Sequence, residues 1–415
     1  MYNTVFYIIL LIIVLDFIVE RVLDYLNSKH ISTKLPDELH GIYNEEKYKK
    51  SQQYKRENER FGLLTSSFSF VLILGMLFLQ GFAFVDNIVR SLTDSPVLQA
   101  LLFFGILGLA SDILGTPFAL YDTFVIEEKY GFNKTTPKIF FLDKMKGWLI
   151  GAVLGGGILA IIIWFYQSTG TMFWIYAWII TSVFMIFMSM FYSSLIVPLF
   201  NKQTPLGEGE LRTAIEEFSE NAGFKLDNIY VMDGSKRSTK ANAYFSGLGS
   251  KKRIVLFDTL INDLSTEEIV AVLAHEIGHY KKKHTLSGIL LSIIQTGLTL
   301  YILSLLINNP ALAKALGTSK VSFHIGLVAF GILYSPISML IGLGMNSWSR
   351  KNEYQADHFA AVKYKAEKLI GALKKLSEKN LSNLTPHPAY VFFHYSHPTL
   401  LQRIQALKKY ENGSN

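Results

Sequence analysis

Residues 275–279 read His-Glu-Ile-Gly-His, within a segment, 267–284, that we predict to be helical. Positions i and i+4 lie one turn apart on the same helix face, so His275 and His279 can direct imidazole nitrogens at one point. A zinc ion takes histidine ligands at about 2.0–2.1 Å, and two histidines in this arrangement can supply them. Glu276 is placed to take a proton from a water that zinc activates for attack on a peptide carbonyl. The motif predicts a zinc peptidase; the alternative is two surface histidines on a solvated helix.

A catalytic zinc ion normally keeps three protein ligands, so a third must come from elsewhere in the chain. The best candidate segment is 350–357, in which Glu353 and Asp357 lie one helical turn apart and face the same way. Glu353 would complete a set of two histidines and one carboxylate. Asp357 would accept a hydrogen bond from the free N–H of a ligand histidine and so fix its tautomer. The alternative is that both carboxylates are solvated helix charges near a membrane surface.

The remaining histidines are weighed one at a time. His397, in the C-terminal segment 394–403, could donate a hydrogen bond to a tetrahedral oxyanion, and its spacing alone leaves this role open. His284 follows the motif among lysines and is expected to meet solvent or lipid headgroups. His324 is expected to be a packed or interfacial residue, and His30 to lie in a polar loop without partners.

The composition indicates an integral membrane protein. Half of the 415 residues are hydrophobic and the mean hydropathy is +0.27, which is too apolar for an ordinary soluble enzyme. Seven stretches are long enough, or nearly so, to cross a bilayer as helices: 5–23, 63–85, 97–120, 148–166, 172–199, 286–307 and 322–345. The first is the weakest because Asp16 and Glu20 interrupt it. Without a basic region before it or a cleavage site after it, we expect an uncleaved anchor.

The charges of the loops predict the orientation. The loops after the first and third predicted spans are rich in lysine and arginine, whereas the intervening loops hold at most two basic residues each. This alternation follows the positive-inside rule and places the N-terminus outside and the C-terminus in the cytoplasm. The net charge of +7 is then explained by anionic lipid beside the inner loops, and no nucleic acid is expected as a partner. Because the chain has no cysteine, disulfides and thiolate metal sites are excluded.

The polar regions predict the elements that must position the motif. A helix over 208–222 and strands over 228–232, 242–248 and 253–258 are expected, the last two joined by a turn at 249–252. Ser265 and Glu268 form a capping box that starts the motif helix, which we expect to run directly into the sixth span. The zinc would then lie at the cytoplasmic edge of the membrane. The expected division is membrane helices in 1–200, metalloprotease domain in 201–285, membrane helices in 286–346 and the rest of that domain in 347–415.

With these elements assigned, the sequence resembles the CAAX prenyl protease 1 family of integral-membrane zinc endopeptidases, which trim prenylated C-a-a-X proteins and include the a-factor-converting enzyme. The zinc motif alone is shared by many unrelated metallopeptidases, but an ordered set of motifs is specific and spans nearly the whole chain. The set comprises Tyr-Gly-Phe-Asn-Lys-Thr-Thr at 130–136, Pro-Leu-Phe-Asn-Lys-Gln-Thr-Pro at 198–205, Ser-Lys-Arg-Ser at 235–238, Asn-Ala-Tyr-Phe-Ser-Gly at 242–247, Arg-Ile-Val-Leu-Phe-Asp-Thr at 253–259, Asn-Glu-Tyr-Gln-Ala-Asp at 352–357 and Tyr-Ser-His-Pro at 395–398.

The resemblance implies a fold and a metal site. The implied fold is a polytopic α-helical membrane protein whose seven transmembrane helices form a barrel around a water-filled chamber. A zincin-like α+β metalloprotease domain is expected on the cytoplasmic side. The resemblance implies one zinc ion per chain, bound by His275, His279 and Glu353, with Glu276 as general base. The residues expected to assist are the transition-state donor His397, its supporting residue Arg403, the neighbouring Tyr395, and Asp357 behind the ligands.

The resemblance also implies that substrate binds along an edge strand of the metalloprotease domain, as an added strand would. The residues expected to contact substrate are Asn242, Ala243, Tyr244, Phe245 and Gly247. Asn242 would lie near the zinc. Many relatives have a histidine where this chain has Lys240, so we assign Lys240 no role.

The expected activity is zinc-dependent hydrolysis of peptide bonds at a membrane, of the type that removes the aaX tripeptide from prenylated proteins or cuts related C-terminal and membrane substrates. The partners would be a peptide or protein, prenylated or not, and membrane lipid; the oligomeric state is left open. One alternative is a general quality-control metalloprotease without prenyl specificity, and a more distant one is a non-catalytic membrane scaffold. The short sixth-to-seventh loop and the absence of a retrieval signal favour a prokaryotic plasma membrane over the endoplasmic reticulum.

Overall fold

The computed structural model describes residues 3–30, 45–224, 229–247 and 252–411, which are mostly helical. The α-helices of these residues are α1 Thr4–Lys29, α2 Glu45–Phe78, α3 Gly81–Leu92, α4 Pro96–Tyr121, α5 Glu128–Tyr130, α6 Pro137–Ile150, α7 Gly156–Thr169, α8 Phe173–Leu195, α9 Glu210–Asn221, α10 Asp258–Asp263, α11 Thr266–Lys281, α12 His284–Leu306, α13 Pro310–Ala315, α14 Phe323–Lys363, α15 Ala366–Lys379, α16 Pro388–His394 and α17 Leu400–Glu411. The strands are β1 Gln203–Pro205, β2 Ile229–Met232, β3 Ala243–Ser246 and β4 Arg253–Phe257. Two π-helical turns are Asp122–Glu127 and Gly151–Gly155.

Five helical stretches of the described residues are long and apolar enough to cross a membrane. They are Glu45–Phe78, Pro96–Tyr130, Pro137–Leu199, His284–Leu306 and Phe323–Lys363. The third reverses direction at Gly170, where φ is 56° and ψ is −125°, so that α7 and α8 pack against each other as a hairpin. The fourth and fifth predicted spans both lie in this stretch, and the first lies in α1, which is not among the five. The protein is therefore a polytopic membrane protein, and the count of seven spans stays a prediction.

The second predicted span, 63–85, is wrong at its C-terminal end. Helix α2 ends at Phe78, and the chain turns at Gln80, whose φ of 54° is left-handed. The apolar residues that follow belong to the separate short helix α3, which buries Phe82 and Val89 against the ends of the membrane helices. An apolar run alone does not show where the chain reverses, because a membrane helix and a buried cap helix bury similar side chains.

A four-stranded sheet with the order β1-β2-β4-β3 lies beside the motif helix. Strands β2 and β4 are parallel, and β3 pairs antiparallel with β4 alone. The three predicted strands are confirmed, whereas β1 was missed because its residues, Gln203-Thr-Pro, carry no alternating apolar pattern. The turn predicted at 249–252 lies, apart from Lys252, outside the described residues. Strand β3 is thus an edge strand, as the added-strand binding mode requires.

The motif helix α11 and the long helix α14 cross in one hydrophobic core, together with α9, α15 and α17. The predicted capping box is confirmed, since the Ser265 side chain accepts from the Glu268 N–H and Glu268 accepts from the Ser265 N–H. The predicted continuous run into the sixth span is wrong. Lys283 has a left-handed φ of 60°, which breaks the helical hydrogen-bond ladder and starts α12 at His284.

Candidate metal centre

The metal-binding candidates come together where α11 crosses α14. A Cβ added to Gly278 would lie 3.1 Å from the Cα of Ala356, so a larger residue there would press the two helices apart. Ala356 is fully buried and is also a small residue. Close packing of small residues lets two helix backbones approach within reach of each other's short side chains. His275 and His279, on either side of Gly278, therefore lie opposite the acidic turn of α14.

The side chains of His275, His279 and Glu353 offer ligand atoms that all lie within 4.8 Å of one another. The two Nε2 atoms are 3.1 Å apart. Glu353 Oε1 lies 3.1 Å from the His279 Nε2, and Oε2 lies 3.4 Å from the His275 Nε2. Ligands about 2.0–2.1 Å from a tetrahedral zinc ion are separated by about 3.3 Å, which these three distances bracket.

The hydrogen bonds behind His275 leave its Nε2 free to face this centre. Asp357 Oδ1 lies 2.9 Å from the His275 Nδ1, and a carboxylate can only accept, so Nδ1 carries a hydrogen. Burial lowers the pKa of the His275 imidazole, but the hydrogen bond with Asp357 and the nearby Glu353 carboxylate outweigh burial and raise that pKa to about 9. The carboxylates thus stabilise positive charge at Nε2, and a proton or a metal cation can supply it.

His279 is held in the same tautomer by a residue that the sequence did not point to. His284 is buried, its Nε2 lies 2.9 Å from Gln355 Oε1, and its Nδ1 lies 3.0 Å from the His279 Nδ1. Because the amide oxygen accepts from Nε2–H, a neutral His284 accepts at Nδ1 from the Nδ1–H of His279. Two lone pairs at Nε2 then face each other, an arrangement that a cation between them would stabilise.

Glu353 supplies a further observation that favours a cation. Its carboxylate is buried, and Oε2 has no hydrogen-bond partner among the described residues. Its nearest partners are His275 Nε2 at 3.4 Å and Arg403 Nη1 at 3.8 Å, and neither makes a hydrogen bond to it. A buried anionic oxygen without a hydrogen bond is costly, and a bound cation would satisfy it. The donor set of two imidazoles and one carboxylate is one that zinc prefers. The residues therefore fit the predicted metal.

Arg403 is paired with the acidic residues of α14. Its Nε lies 2.9 Å from Asp357 Oδ2 and its Nη2 lies 2.6 Å from Asp357 Oδ1, a bidentate pair. Nη1 is 3.8 Å from Glu353 Oε2. We predicted that Arg403 supports His397. Among the described residues Arg403 makes no hydrogen bond to His397, and its direct contacts are with other residues. Arg403 instead orients Asp357, which in turn holds His275.

His397 and Glu276 lie at the accessible side of the cluster. The His397 side chain is 62% exposed, with its Nε2 3.3 Å from Glu353 Oε1 and its Nδ1 2.9 Å from the Ser396 hydroxyl. Glu276 is partly exposed and makes no hydrogen bond to the residues that the structure describes. Tyr395 is held through its carbonyl, which accepts from Arg350 Nη1 at 2.6 Å. The side chains of Glu276 and His397 are therefore both accessible to solvent.

The edge strand β3 is anchored by its side chains and leaves one backbone edge unpaired within the described sheet. The Tyr244 hydroxyl lies 3.2 Å from the Ser193 hydroxyl of α8, and the Phe245 ring packs against Tyr280 of α11. The buried Gly247 ends the strand with a φ of 90°, and the exposed Asn242 precedes Ala243. The five predicted substrate-binding residues thus lie in one continuous segment beside the motif helix.

Lys240 points away from the metal cluster. Its Nζ lies 2.7 Å from Glu127 Oε2 and 4.5 Å from the centre of the Phe132 ring, and it also donates to the Tyr54 hydroxyl. Tyr54 in turn donates to Glu127. Lys240 therefore joins the segment before β3 to α2 and to the π-helical turn after α4, and it does not take part in the metal site.

Three expectations about histidines are settled by their contacts. His324 is buried, as a packed residue should be, and its Nε2 lies 2.6 Å from Asp86 Oδ1. The prediction that His30 has no partner is wrong, because its Nδ1 lies 3.2 Å from the Thr385 carbonyl and its ring contacts His387. The solvent exposure predicted for His284 is also wrong. His284 lies five residues beyond His279, so a continuous helix would not place it on the same face. The left-handed turn at Lys283 brings its ring into contact with His279.

Replacement of His284 by phenylalanine is expected to weaken zinc binding by about 10- to 100-fold, the usual cost of losing the partner behind a ligand histidine. Without His284 the Nδ1–H of His279 loses its acceptor, and the imidazole is free to take the wrong tautomer. Competition with a calibrated zinc chelator would measure the affinity. His358→Phe is a matched control, because His358 is exposed and contacts Tyr410 rather than the cluster. Equal zinc affinity in the two variants would contradict the positioning role.

Comparison with known proteins agrees with this geometry. Residues 24–202 match the family model described as CAAX prenyl protease N-terminal, five membrane helices, and residues 205–411 match peptidase family M48. CAAX prenyl protease 1 of Saccharomyces cerevisiae is 35% identical over 94% of this chain and 92% of its own, and the Arabidopsis thaliana homolog is 38% identical over 90% of each chain. The crystal structure of S. mikatae Ste24p superposes with a TM-score of 0.93 at 34% identity, covering 98% of this chain and 100% of that one. These matches confirm the resemblance seen in the motifs, and the chain belongs to the CAAX prenyl protease 1 family within peptidase family M48.

Proposed function

We propose that His275, His279 and Glu353 bind one zinc ion, and that this centre cuts near the C-terminus of prenylated membrane proteins. The family makes the protein a membrane metallopeptidase of the CAAX prenyl protease type. The observation that carries the proposal is the convergence of two imidazole lone pairs and an unpartnered carboxylate oxygen, at 3.1–3.4 Å from one another. A cation held between the two Nε2 atoms and the carboxylate would contact all of them at once.

A bound zinc ion would polarise the scissile carbonyl and make water a better nucleophile at neutral pH. Glu276 takes a proton from the attacking water and returns it to the leaving amine, which a partly exposed carboxylate without a hydrogen-bond partner is free to do. His397 donates from Nε2 to the developing oxyanion, with Nδ1 held by the Ser396 hydroxyl. Asp357 and Arg403 hold His275 in position and do not contact substrate.

Substrate is proposed to lie extended along β3 and to pair with its free edge. The anchored side chains of Tyr244 and Phe245 keep that edge rigid, which lowers the entropic cost of adding a strand. A cavity of about 340 Å³ lies at the end of the strand, lined in part by Met188, Tyr192 and Gly247. An apolar side chain or lipid group of the substrate would fit there.

The decisive experiment compares a farnesylated C-a-a-X peptide with its unprenylated twin, using the purified protein in detergent. We expect a larger kcat/KM for the lipidated peptide. Equal cleavage of both peptides would instead favour a general quality-control protease, which uses the same zinc chemistry without prenyl specificity. A zinc-loaded protein that cleaves no peptide would favour the scaffold alternative.

The finer features of the architecture are also proposals. Seven spans, forming a barrel around a chamber, would result if α1, α7 and α8 each cross the membrane in addition to the other apolar stretches. The alternating loop charges support an orientation with the metal centre toward the cytoplasm. The relatives named above are eukaryotic and give no support to the prokaryotic assignment.

A further inference from the structure

Two arginines on α2 form an unneutralised basic pair. Arg56 and Arg60 lie one helical turn apart and are both exposed. Their neighbours are paired, since Lys55 lies 3.5 Å from Glu59 and Lys129 lies 2.7 Å from Glu57. In the part of the chain that the structure describes, neither arginine forms an ion pair. Their charge is therefore available to a ligand.

The two arginines lie on the outward side of α2. Its other sides are packed, as Tyr54 contacts Tyr130 and Lys55 lies over the ring of Tyr390. One turn beyond Arg60, on the same side, Leu63 and Leu64 are 50% and 58% exposed, as expected for lipid contact. Four residues of helix rise about 6 Å, so the guanidinium groups lie where the surface changes from polar to apolar. That boundary is the level of lipid headgroups.

A cleft of about 910 Å³ opens beside this pair, between α2 and the end of α4. Its charged rim is Arg56, Arg60, Lys129 and Glu57. Its apolar part is lined by Phe61, Leu64, Phe118 and Tyr121, with Phe61 stacked on Tyr121 at 5.1 Å. The same two arginines also line a second cleft, of about 540 Å³, between α1 and α2. The first cleft is thus amphiphilic, with excess positive charge above an aromatic surface.

We propose that this cleft binds an anionic phospholipid. Arg56 and Arg60 hold the phosphate, and an acyl chain lies along Leu64 and Phe118. Guanidinium forks match phosphate oxygens in bidentate geometry. A neutral prenyl chain carries no charge to pair with the two arginines. A soluble phosphate has no apolar chain to contact the surface below them. The choline of a zwitterionic lipid would add a cation where the protein already has excess positive charge.

Native mass spectrometry of the purified protein, extracted from membranes that contain phosphatidylglycerol and phosphatidylcholine, tests the proposal. Wild type is expected to retain phosphatidylglycerol selectively, and Arg56→Gln/Arg60→Gln to lose at least about tenfold in its affinity for that lipid. The control Lys49→Gln/Lys50→Gln removes the same charge from exposed positions of the same helix, outside the cleft. It is expected to behave as wild type.

Three results would overturn the proposal. The first is that the lysine control loses as much affinity for phosphatidylglycerol as the arginine variant. The second is that the arginine variant retains phosphatidylglycerol as well as wild type does. The third is that wild type retains phosphatidylcholine as well as phosphatidylglycerol. If the double variant without lipid has a lower Tm than wild type, Arg60→Lys tests the same site. This variant keeps the positive charge but removes the bidentate guanidinium group. Undiminished retention of phosphatidylglycerol by Arg60→Lys then counts against the proposal. Inorganic phosphate alone should leave the Tm of wild type unchanged, and stabilisation equal to that by phosphatidylglycerol would reassign the site to a soluble anion.

Discussion

Glu276→Gln is expected to lower kcat by about 10²- to 10⁴-fold, the contribution of a positioned general base. The amide cannot accept a proton from water, yet it has nearly the shape of the carboxylate. Because Glu276 is partly exposed and makes no hydrogen bond to the described residues, its replacement leaves the packing of α11 intact. Zinc content and Tm should therefore equal those of wild type, which separates loss of chemistry from loss of structure.

Peptide cleavage under single-turnover conditions, together with metal analysis of the same sample, would measure both effects. Glu267→Gln is the matched control, since Glu267 lies on the same helix but is paired with Lys365 and Lys368 at the surface. It should leave kcat unchanged. A Glu276→Gln enzyme that retained a tenth or more of the wild-type kcat would show that another group takes the proton.

Glu353→Gln is expected to weaken zinc binding by more than the roughly 100-fold that loss of a residue behind a ligand costs, because it replaces the proposed anionic ligand itself. The buried site would keep His275 and His279, with the positive charge of Arg403 nearby no longer offset by Glu353. Zinc binding to the native state raises its stability by mass action, about 2.7 kcal/mol at a zinc concentration 100 times Kd. Wild type should therefore show a zinc-dependent rise in Tm that the variant lacks.

Calorimetric melting with and without zinc, and metal analysis after gel filtration, are the measurements. Asp357→Asn provides a graded comparison, since Asp357 acts behind His275 and its loss should cost only about 10- to 100-fold in affinity. Full zinc occupancy and an unchanged Tm response in Glu353→Gln would assign the third ligand to another side chain, of which His397, 3.3 Å from Glu353, is the nearest candidate.

Local features were predictable because neighbouring residues determine them. The spacing of His275 and His279 places both on one face of any helix, and the capping box at Ser265 and Glu268 starts that helix wherever it packs. Glu353 and Asp357 share a face for the same reason. Apolar stretches of sufficient length identify membrane helices, since no other backbone arrangement satisfies its hydrogen bonds in lipid except a closed barrel of strands.

Features that depend on packing were not predictable. The left-handed turn at Lys283 returns His284 to His279, and a lysine gives no local signal for such a turn. Arg403 is 46 positions from Asp357 in the chain, and only the packing of α17 on α14 makes them partners.

The sequence by itself determined the donor types, their pairwise spacing along each helix, and the apolar character of the membrane-spanning segments, because these depend on residue identity and helical periodicity. Only the tertiary structure decided that α11 crosses α14 at Gly278 and Ala356, and that His284 lies against His279. The physical reason is that distances between elements far apart in the chain are set by close packing of side chains, which no local pattern encodes.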